Sequence, residues 1–255
     1  MSVKKSRLLP QFTRPLIFGH RGCSRIAPEN TLSAFRAVLD NGVPGVEFDI
    51  HECGSGELVV IHDFSLKRVT GCDASVEETQ YDVIKELDAG KWFGEEFSGE
   101  KIPLLDEVLD LLGTSVYYDI EIKSRKHNYG SLEKKLVETV RRRGIENRAV
   151  ISSFDPLSLR EIRRIDPELQ TAHIYSNHPD LPWSLRRGAG RFICRPLALK
   201  PDRKDVNRWN MLCRSRIGGY PVIPWTVDDR EEAERLLSIG IEGIISNVPE
   251  TMKDI

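Results

Sequence analysis

The sequence predicts an α/β protein that folds as a single-domain (β/α)8 barrel, also called a TIM barrel. Short apolar runs alternate with amphipathic helical segments, which is the pattern of parallel βαβ units. At least eight strand candidates occur, and this number favours closure into a barrel over an open sheet. No Gly-x-Gly-x-x-Gly motif follows a strand, which argues against a dinucleotide-binding fold. We expect one domain over residues 1–255, with its core at about 15–251.

In the first half of the chain, period and composition predict these elements in order: strand IFGH, helix NTLSAFRAVLDNG, strand GVEFDI, strand LVVIHD, helix PLLDEVLDLLG and strand VYYDIEIK. Asn30 is the expected N-cap of the first helix and Gly42 its end. LVVIHD would be a ninth strand, added to GVEFDI as a hairpin. Residues 64–100 have no regular pattern, so we expect a short insertion loop after the early strands, of a length that is often functional.

The second half continues the alternation with helix SLEKKLVETVRRRG, strand AVISSF, a helix opened by Asp155 and Pro156, strands TAHIYS, RFICRP and PVIPWTVD, helix DDREEAERLLSIG and strand EGIISN. Ser131 and Asp228 are the expected N-caps of two of these helices. No linker or internal repeat requires a second domain.

Composition excludes several classes of protein. The net charge of -2 lacks the basic surplus of a nucleic-acid binder. The five cysteines are scattered and form no Cys-x-x-Cys pair, which predicts free thiols in a reducing compartment. No apolar run reaches the roughly 18 residues of a membrane span, and the N-terminus lacks the apolar core of a signal peptide. We expect a cytoplasmic protein with no nucleic-acid partner and no integral membrane segment.

Polar side chains stand at the ends of the predicted strands, where the active site of a barrel forms: His20, Arg21, Glu47, Asp49, His62, Asp63, Asp119, Glu121, Lys123, Trp225 and Asn247. Glu47 and Asp49 are two residues apart and share one face of a strand, as do Asp119 and Glu121. Carboxylates gathered in an apolar mouth need cations. Two cationic side chains supply part of that charge, and Mg²⁺ or Ca²⁺ would supply the rest. The alternative is a set of separate, partly solvated ion pairs.

Two histidines, His20 and His62, each end an apolar strand beside the predicted metal site. An imidazole in that position suits general acid–base chemistry. The other histidines lack this context and are interpreted as loop or packing residues: His51, His127, His173 and His178.

Nine motifs then occur in an order that resembles the glycerophosphodiester phosphodiesterase family: HRG, PENTLSAF, GVEFD, VVIHD, DAGKWFGEEFSGEKIPLLDEVL, IEIK, ISSF, PWTVD and GIISNVP. They span residues 17 to about 249, and the stretch from about 176 to 220 carries little of the resemblance. The resemblance implies a TIM barrel that hydrolyses glycerophosphodiesters to an alcohol and sn-glycerol 3-phosphate, within lipid and glycerol metabolism. It also implies one divalent cation, Mg²⁺ or Ca²⁺.

Matched residue by residue, the resemblance implies Glu47, Asp49 and Glu121 as metal ligands and His20 and His62 as the acid–base pair. Arg21 and Lys123 would hold the phosphate, and Trp225 would line the pocket against the glycerol. Glu29, Asn30, Asp63 and Asp119 would support these groups. Two departures stand out: residues 52–56 replace the usual turn after EFD, and Asp119 stands where the family often has Asn. The added charge of Asp119 would either strengthen metal binding or repel phosphate.

Two other functions remain open. A lysophospholipase D or sphingomyelinase-D-like enzyme would need apolar residues at the mouth, and Trp92, Phe93 and Phe97 are the candidates unless they pack under the loop. A non-catalytic barrel that binds phosphodiesters would be expected to lack a catalytic position, and none is missing. The sequence leaves open the head group, the metal, which histidine is the base, whether water or the glycerol C2 hydroxyl attacks, and the oligomeric state, with a homodimer as one expectation.

Overall fold

Eight strands form one curled, mostly parallel sheet in the computed structural model, which describes residues 8–123, 130–177 and 186–255. The strands are β1 (Leu16–His20), β2 (Gly45–Glu52), β3 (Leu58–Val60), β4 (Tyr117–Ile122), β5 (Ala149–Ser153), β6 (Gln170–Tyr175), β7 (Ala198–Pro201) and β8 (Gly243–Ser246). Hydrogen-bonded neighbours follow the order β7-β6-β5-β4-β2-β1-β8. β3 pairs antiparallel with β2, which confirms the predicted hairpin.

Helices separate most of the parallel strands, as the alternation predicts. The α-helices of the described residues are α1 (Leu32–Asp40), α2 (Lys67–Thr70), α3 (Tyr81–Ile84), α4 (Leu105–Leu112), α5 (Ser131–Arg143), α6 (Pro156–Ile165), α7 (Arg191–Cys194), α8 (Arg208–Met211) and α9 (Arg230–Ser238). The π-helix Leu212–Ile217 continues α8. Short 3-10 helices are Val76–Glu78, Glu95–Phe97, Arg186–Gly188, Arg203–Asp205 and Pro249–Thr251.

The segment 221–227 connects the two ends of the parallel sheet. Its backbone bonds β7 on one side, where the amide of Ile223 donates to the carbonyl of Leu199 at 3.0 Å. It bonds β8 on the other side, where the amide of Ile245 donates to the carbonyl of Pro224 at 3.1 Å. The sequence predicts a regular strand here. The prolines at 221 and 224 each lack an amide donor, so the segment forms isolated bridges instead.

The core has two layers, because parallel strands bury side chains on both faces. Inside the sheet, Phe18 packs edge-on against Tyr117 with ring centroids 4.9 Å apart, and Leu8 and Leu9 join the same cluster at the N-terminal end of the strands. The Tyr117 hydroxyl accepts from the amide of Ile17 at 2.7 Å, so its polar atom is satisfied. Outside the sheet, a larger cluster joins the strands to α1, α4, α5 and α6. The N-terminal ends of the strands are thus surrounded by apolar side chains, and the polar side chains lie at the carboxyl ends.

Register brings the predicted site residues together. Asp49 on β2 lies opposite Glu121 on β4, and Glu47 lies opposite Asp119. His20, the last residue of β1, lies opposite Glu47. Carboxylates that are about 70 positions apart in the sequence therefore share one end of the sheet.

Residues 64–100 are ordered around a small core of their own. Leu66, Val69, Val76 and Ile84 are buried against β3. The Asp88 carboxylate accepts from the backbone amides of residues 90, 91 and 99, and these bonds lower the pKa of Asp88 to about 2. Hydrogen bonds to one carboxylate thus shape the turn that the sequence pattern left undefined.

One predicted strand is wrong. RFICRP contains the helical turn α7, and the strand of this repeat is β7, three residues after it. Arg195 has a φ of 48°, a left-handed conformation that ends the turn and that no strand contains. Phe192 is 71% exposed, so the apolar pair Phe192–Ile193 that suggested a buried strand faces outward.

Three predicted helix caps are also wrong. Thr31, not Asn30, caps α1, and its hydroxyl accepts from the amide of Ala34. Gly130 precedes α5, so Ser131 is the first helical residue and its hydroxyl donates to Glu52 at 2.7 Å. Asp229, not Asp228, caps α9. Asn30 and Asp228 do not cap these helices, because the side chain of each bonds a residue of the site described next.

Candidate active site

Three buried carboxylates lie at the centre of the candidate site. One oxygen each of Glu47, Asp49 and Glu121 lies within 4.8 Å of the others. Burial, reinforced by repulsion from Asp49, raises the pKa of Glu47 well above its ordinary value. The direction of this shift indicates that the cations near Glu47 do not compensate for the burial of its negative charge. Oxygen ligands crowded in this way fit a hard divalent cation such as Mg²⁺ or Ca²⁺.

Lys123 supplies part of the missing charge. Its ammonium lies 2.6 Å from Glu121 and 3.2 Å from Asp49. Burial alone would raise the pKa of Asp49, but Lys123 and then Arg21 hold it well below its ordinary value. Burial disfavours the charged form of Lys123, yet Glu121 and Asp49 together raise its pKa. The Lys123 ammonium is therefore fixed as a cation.

Arg21 is held in place by backbone and side chain together. Its φ of 59° is left-handed, and its amide donates both to the carbonyl and to the carboxylate of Glu47, at 2.8 and 3.0 Å. The guanidinium donates to Glu29 at 2.8 Å and lies 3.5 Å from Asp49. The Asn30 side chain donates to the same Asp49 at 2.9 Å. Glu29 and Asn30 thus orient a cation and a carboxylate of the site, respectively.

His20 has its protonation pattern set by a chain of hydrogen bonds. Asn247 donates its backbone and side-chain N–H groups to Asp228, each at 2.7 Å, so its amide oxygen faces the other way. That oxygen lies 2.6 Å from Nδ1 of His20 and can only accept. The proton of a neutral His20 ring is therefore on Nδ1, and Nε2 carries a lone pair 3.9 Å from Glu47. Burial, followed by the charge of Arg21, lowers the pKa of His20 to about 4.

His62 has the opposite environment. Its Nδ1 lies 2.7 Å from a carboxylate oxygen of Asp63, where the corresponding nitrogen of His20 contacts a neutral amide oxygen. Arg68 fixes Asp63 with a 2.6 Å bond and also pairs with Glu29 at 2.7 Å. A single ionic chain thus runs from Arg21 through Glu29, Arg68 and Asp63 to His62.

A buried ion pair forms the floor of the site. The ammonium of Lys200 on β7 lies 2.5 Å from Asp119 and donates to Ser152 at 3.0 Å. Ser152 in turn donates to Asp119 at 2.7 Å. Lys200 and Asp119 are 2% and 1% exposed. The extra carboxylate of Asp119 is therefore neutralised from below.

Two cavities meet at this site. A small inner cavity of about 40 Å³ is bounded by Phe154, Trp225 and Lys200 below both histidines. An outer, open cavity of about 620 Å³ is lined by polar groups that include Ser65 and Asp73. His62 and Lys123 line both cavities, so their side chains stand at the junction.

Trp225 bounds the inner cavity as an oriented wall. Its ring nitrogen donates to the carbonyl of Lys200 at 3.0 Å, and its ring packs edge-on against Phe154 at 5.6 Å. The other aromatic candidates behave differently. Three aromatic rings pack on one another with centroids 5.4–5.7 Å apart, those of Trp92, Phe93 and Phe97. None of the three is among the described residues that line the two cavities.

The structure places twelve sequence-predicted residues in or around one mouth: His20, Arg21, Glu29, Asn30, Glu47, Asp49, His62, Asp63, Asp119, Glu121, Lys123 and Trp225. Four contributors were missed or given another role. The sequence pattern places this strand at RFICRP, so it does not predict Lys200 as a site residue. A lysine that ends the apolar run LALK is nevertheless a strand-end signal. Arg68 lies in the patternless segment, Asp228 was interpreted as a cap, and Asn247 was noted without a role.

The other described histidines lie outside this group. His51 is fully buried on β2 and packs edge-on against Phe64 at 4.8 Å. His173 on β6 is 1% exposed. Both agree with a packing role. His127 and His178 lie outside the described residues.

Known proteins share this chain's sequence and fold. The family model described as the glycerophosphoryl diester phosphodiesterase family matches residues 20–251. A glycerophosphodiester phosphodiesterase of Caldanaerobacter subterraneus is 36% identical over 240 residues, covering 94% of this chain and 96% of the relative. The structure of an Oleispira antarctica phosphodiesterase in complex with the product sn-glycerol-3-phosphate matches with a TM-score of 0.85 and 26% identity, over 94% of this chain and 96% of that chain.

A structure described as a glycerophosphoryl diester phosphodiesterase from Silicibacter pomeroyi matches with a TM-score of 0.82 and 28% identity, over 93% of this chain and 91% of that chain. The family model alone covers most of the chain. The chain therefore belongs to the glycerophosphoryl diester phosphodiesterase family and is a phosphodiesterase of that kind.

Proposed function

We propose that this protein hydrolyses glycerophosphodiesters to an alcohol and sn-glycerol 3-phosphate by acid–base catalysis between His20 and His62. The observation that carries this proposal is the contrast between the two imidazoles. One contacts a neutral amide oxygen and the other a carboxylate, and both lie beside a cluster of buried carboxylates. Two imidazoles held by different partners are suited to different roles in proton transfer. The Oleispira antarctica relative binds sn-glycerol 3-phosphate as product, which supports the same product here.

Glu47, Asp49 and Glu121 would hold one divalent cation, Mg²⁺ or Ca²⁺. Bound there, the cation would neutralise charge on the phosphoryl oxygens. Arg21 and Lys123 would bind the same oxygens, because Lys123 stands where the two cavities meet and Arg21 lines the inner one. Preorganised cations of this kind stabilise a phosphorane-like transition state without reorganising as charge develops.

His20 would act as the general base. Its Nδ1 proton is committed to Asn247, which leaves the Nε2 lone pair to accept a proton. With its pKa lowered to about 4, the ring is neutral at physiological pH. We therefore propose His20 as the base, a choice that the sequence leaves open.

His62 would act as the general acid. Its Nδ1 contacts the carboxylate of Asp63, and His62 lines the outer cavity whereas His20 lines only the inner one. An alcohol leaving into the outer cavity would depart past His62. The polar residues that line the outer cavity, such as Ser65 and Asp73, suit a polar head group.

Two proton transfers would accompany the cleavage of the phosphodiester. An attacking hydroxyl, from water or from the glycerol C2 position, loses its proton to Nε2 of His20 as its oxygen bonds phosphorus. The bond from phosphorus to the alcohol oxygen breaks, and His62 gives that oxygen a proton. In the C2 route, water opens the cyclic phosphate in a second step with the two histidines exchanging roles. Trp225 would position the glycerol in the inner cavity, and Glu29, Asn30, Asp63 and Asp119 would support the charged groups.

The surrounding features fit this function. We propose that residues 1–255 form one catalytic domain and that residues 64–100 are its insertion, since they supply Arg68 and one wall of the outer cavity. All five cysteines are free thiols, which favours the cytoplasm. The aromatic group at 92–97 lines neither cavity of the site, so the described residues give no support to a lysophospholipase D activity.

A substrate panel tests the proposal. The purified protein with Mg²⁺ or Ca²⁺ would be given glycerophosphocholine, glycerophosphoethanolamine and a long-chain lysophosphatidylcholine, with enzymatic detection of sn-glycerol 3-phosphate and of free choline. We expect release from both glycerophosphodiesters. Turnover of the lysolipid alone would contradict the assignment of substrate class, and release of glycerol and phosphocholine from glycerophosphocholine would contradict the bond that is cleaved.

A further inference from the structure

The most exposed large apolar side chains lie close together in the chain. Phe192 and Trp209 are each 71% exposed and Ile217 is 75% exposed, and Ile193 and Leu212 follow at 42% and 37%. Elsewhere in the described ranges, three large apolar side chains reach only 42–50%. Exposure of this size, concentrated in one region, marks an interaction surface.

The helix 208–217, made of α8 and its π-helical continuation, points apolar side chains outward. Trp209, Leu212 and Ile217 are exposed, whereas Met211 faces the core at 4% exposure. The helix 208–217 therefore has apolar side chains on two faces. Only the face with Met211 is covered by the rest of the chain.

The helix contacts the segment that leads into α7. Arg214 of the helix donates to the carbonyl of Arg187 at 2.9 Å, and its guanidinium lies 4.8 Å from the ring centroid of Tyr175 on β6. Arg191 stacks on Phe192 at 4.1 Å. We name the exposed arginine and large apolar residues of segments 187–195 and 208–217 the basic–apolar surface: Arg187, Phe192, Ile193, Arg195, Arg208, Trp209, Leu212 and Ile217.

The surface is set in the most basic part of the chain. Residues 186–217 hold ten Lys or Arg and two Asp, although the whole protein has a net charge of -2. The ion pairs of this region in the described structure join Lys200 to Asp119 and Arg203 to Glu232, and both lie off the surface. No described carboxylate lies within ion-pair distance of Arg187, Arg195 or Arg208. The guanidinium groups are thus available to an outside anion.

We propose that the basic–apolar surface docks this protein on an anionic phospholipid bilayer. Tryptophan and aliphatic side chains among arginines match the boundary between acyl chains and negatively charged head groups. A second copy in a two-fold dimer would bring two positively charged surfaces together, which disfavours self-association through this face. Among the described residues, no helix is long and apolar enough to cross a membrane, so the contact would be peripheral.

The position of the surface fits the chemistry of the site. The helix 208–217 follows β7, whose carboxyl end leads into the active-site mouth. Glycerophosphodiesters arise when both acyl chains of a phospholipid are hydrolysed, a reaction that occurs at the bilayer. Docking would hold the protein at the bilayer where that substrate is formed. The docking proposal stands independently of the catalytic one, because binding needs no turnover.

Vesicle co-sedimentation of the full-length protein tests the proposal. Vesicles of phosphatidylcholine alone are compared with vesicles of equal parts phosphatidylcholine and phosphatidylglycerol. We expect binding to the anionic vesicles only, weakened by added salt. Trp209→Ser and Arg208→Gln should each reduce the affinity about fivefold or more. Val83→Ser is the matched control, because Val83 is 50% exposed outside the surface and its loss should change nothing.

Turnover of glycerophosphocholine in free solution should be equal in all of these proteins, which separates docking from catalysis. Equal sedimentation with neutral and anionic vesicles, or none with either at low salt, would overturn the proposal. So would a wild-type dimer that Trp209→Ser converts to a monomer in light scattering without vesicle binding, since the surface would then belong to a second copy.

Discussion

Replacing Asn247 by leucine should slow catalysis by removing the hydrogen bond that selects the reactive nitrogen of His20. The bond is 2.6 Å long and neutral in the ground state, where it is worth about 1 kcal/mol. In the transition state His20 becomes an imidazolium, and a bond to a charged group is worth up to about 3 kcal/mol. The difference of about 2 kcal/mol predicts that Asn247→Leu lowers kcat about thirtyfold with little change in KM.

Ser24 provides the matched control. Its hydroxyl donates to the same oxygen of Asn247 at 3.3 Å but does not touch the ring. Ser24→Ala should therefore leave kcat within about twofold of the wild type, since it removes only a weak neutral bond far from the transferred proton. Both variants would be assayed by release of sn-glycerol 3-phosphate.

NMR of ¹⁵N-labelled histidine gives a readout that a merely structural role would not move. In the wild type, His20 should carry its proton on Nδ1, and Asn247→Leu should populate the form protonated on Nε2. An Asn247→Leu protein with wild-type kcat, or one that still holds the Nδ1 proton while turnover falls, would refute the tautomer argument.

The remaining predictions concern the other charged groups. His20→Ala and His62→Ala should each lower kcat at least about a hundredfold with unchanged circular dichroism, and loss of less than about tenfold in both would contradict their roles. Exhaustive chelation with EDTA should abolish turnover and added Mg²⁺ or Ca²⁺ should restore it, whereas full activity after chelation would contradict the metal site. Burial lowers the pKa of His173 to about 4 from 6.5, so the unfolded chain binds the extra proton as pH falls through that window. Urea unfolding should show about 2 kcal/mol less stability at pH 5 than at pH 7 from this group, a loss absent in His173→Gln. Lys200→Met should destabilise the fold by about 3–5 kcal/mol because it strands the carboxylate of Asp119, and adding Asp119→Asn should recover most of it; equal stability of single and double variants would contradict the pairing.

Much of the site could be predicted because its residues carry local signals. Glu47 and Asp49 stand in an apolar strand, where a carboxylate is costly without a partner, and their spacing places both on one face. His20 and His62 each end an apolar run. None of these inferences needs knowledge of which strands are neighbours.

What the sequence did not yield depends on contacts between distant segments. Asp228 looks like a helix cap, and only the position of β8 shows that it bonds Asn247 instead. Lys200 was missed because RFICRP has the apolar pattern of a strand but folds as a turn with its apolar side chains outward. Period and composition measure local preference, and the choice between two similar apolar runs is made by packing across the sheet.

The pairing of Lys200 with Asp119 bears on what this aspartate does to the charge at the centre of the site. Four carboxylates, those of Glu47, Asp49, Asp119 and Glu121, face three cations, those of Arg21, Lys123 and Lys200. Fully ionised, the group has a formal charge of -1, and a divalent cation would reverse it to +1, the complement of a phosphodiester monoanion. Without Lys200, Asp119 would cancel that surplus and weaken the attraction. The aspartate is tolerated because a buried lysine accompanies it, so neither residue can be exchanged alone.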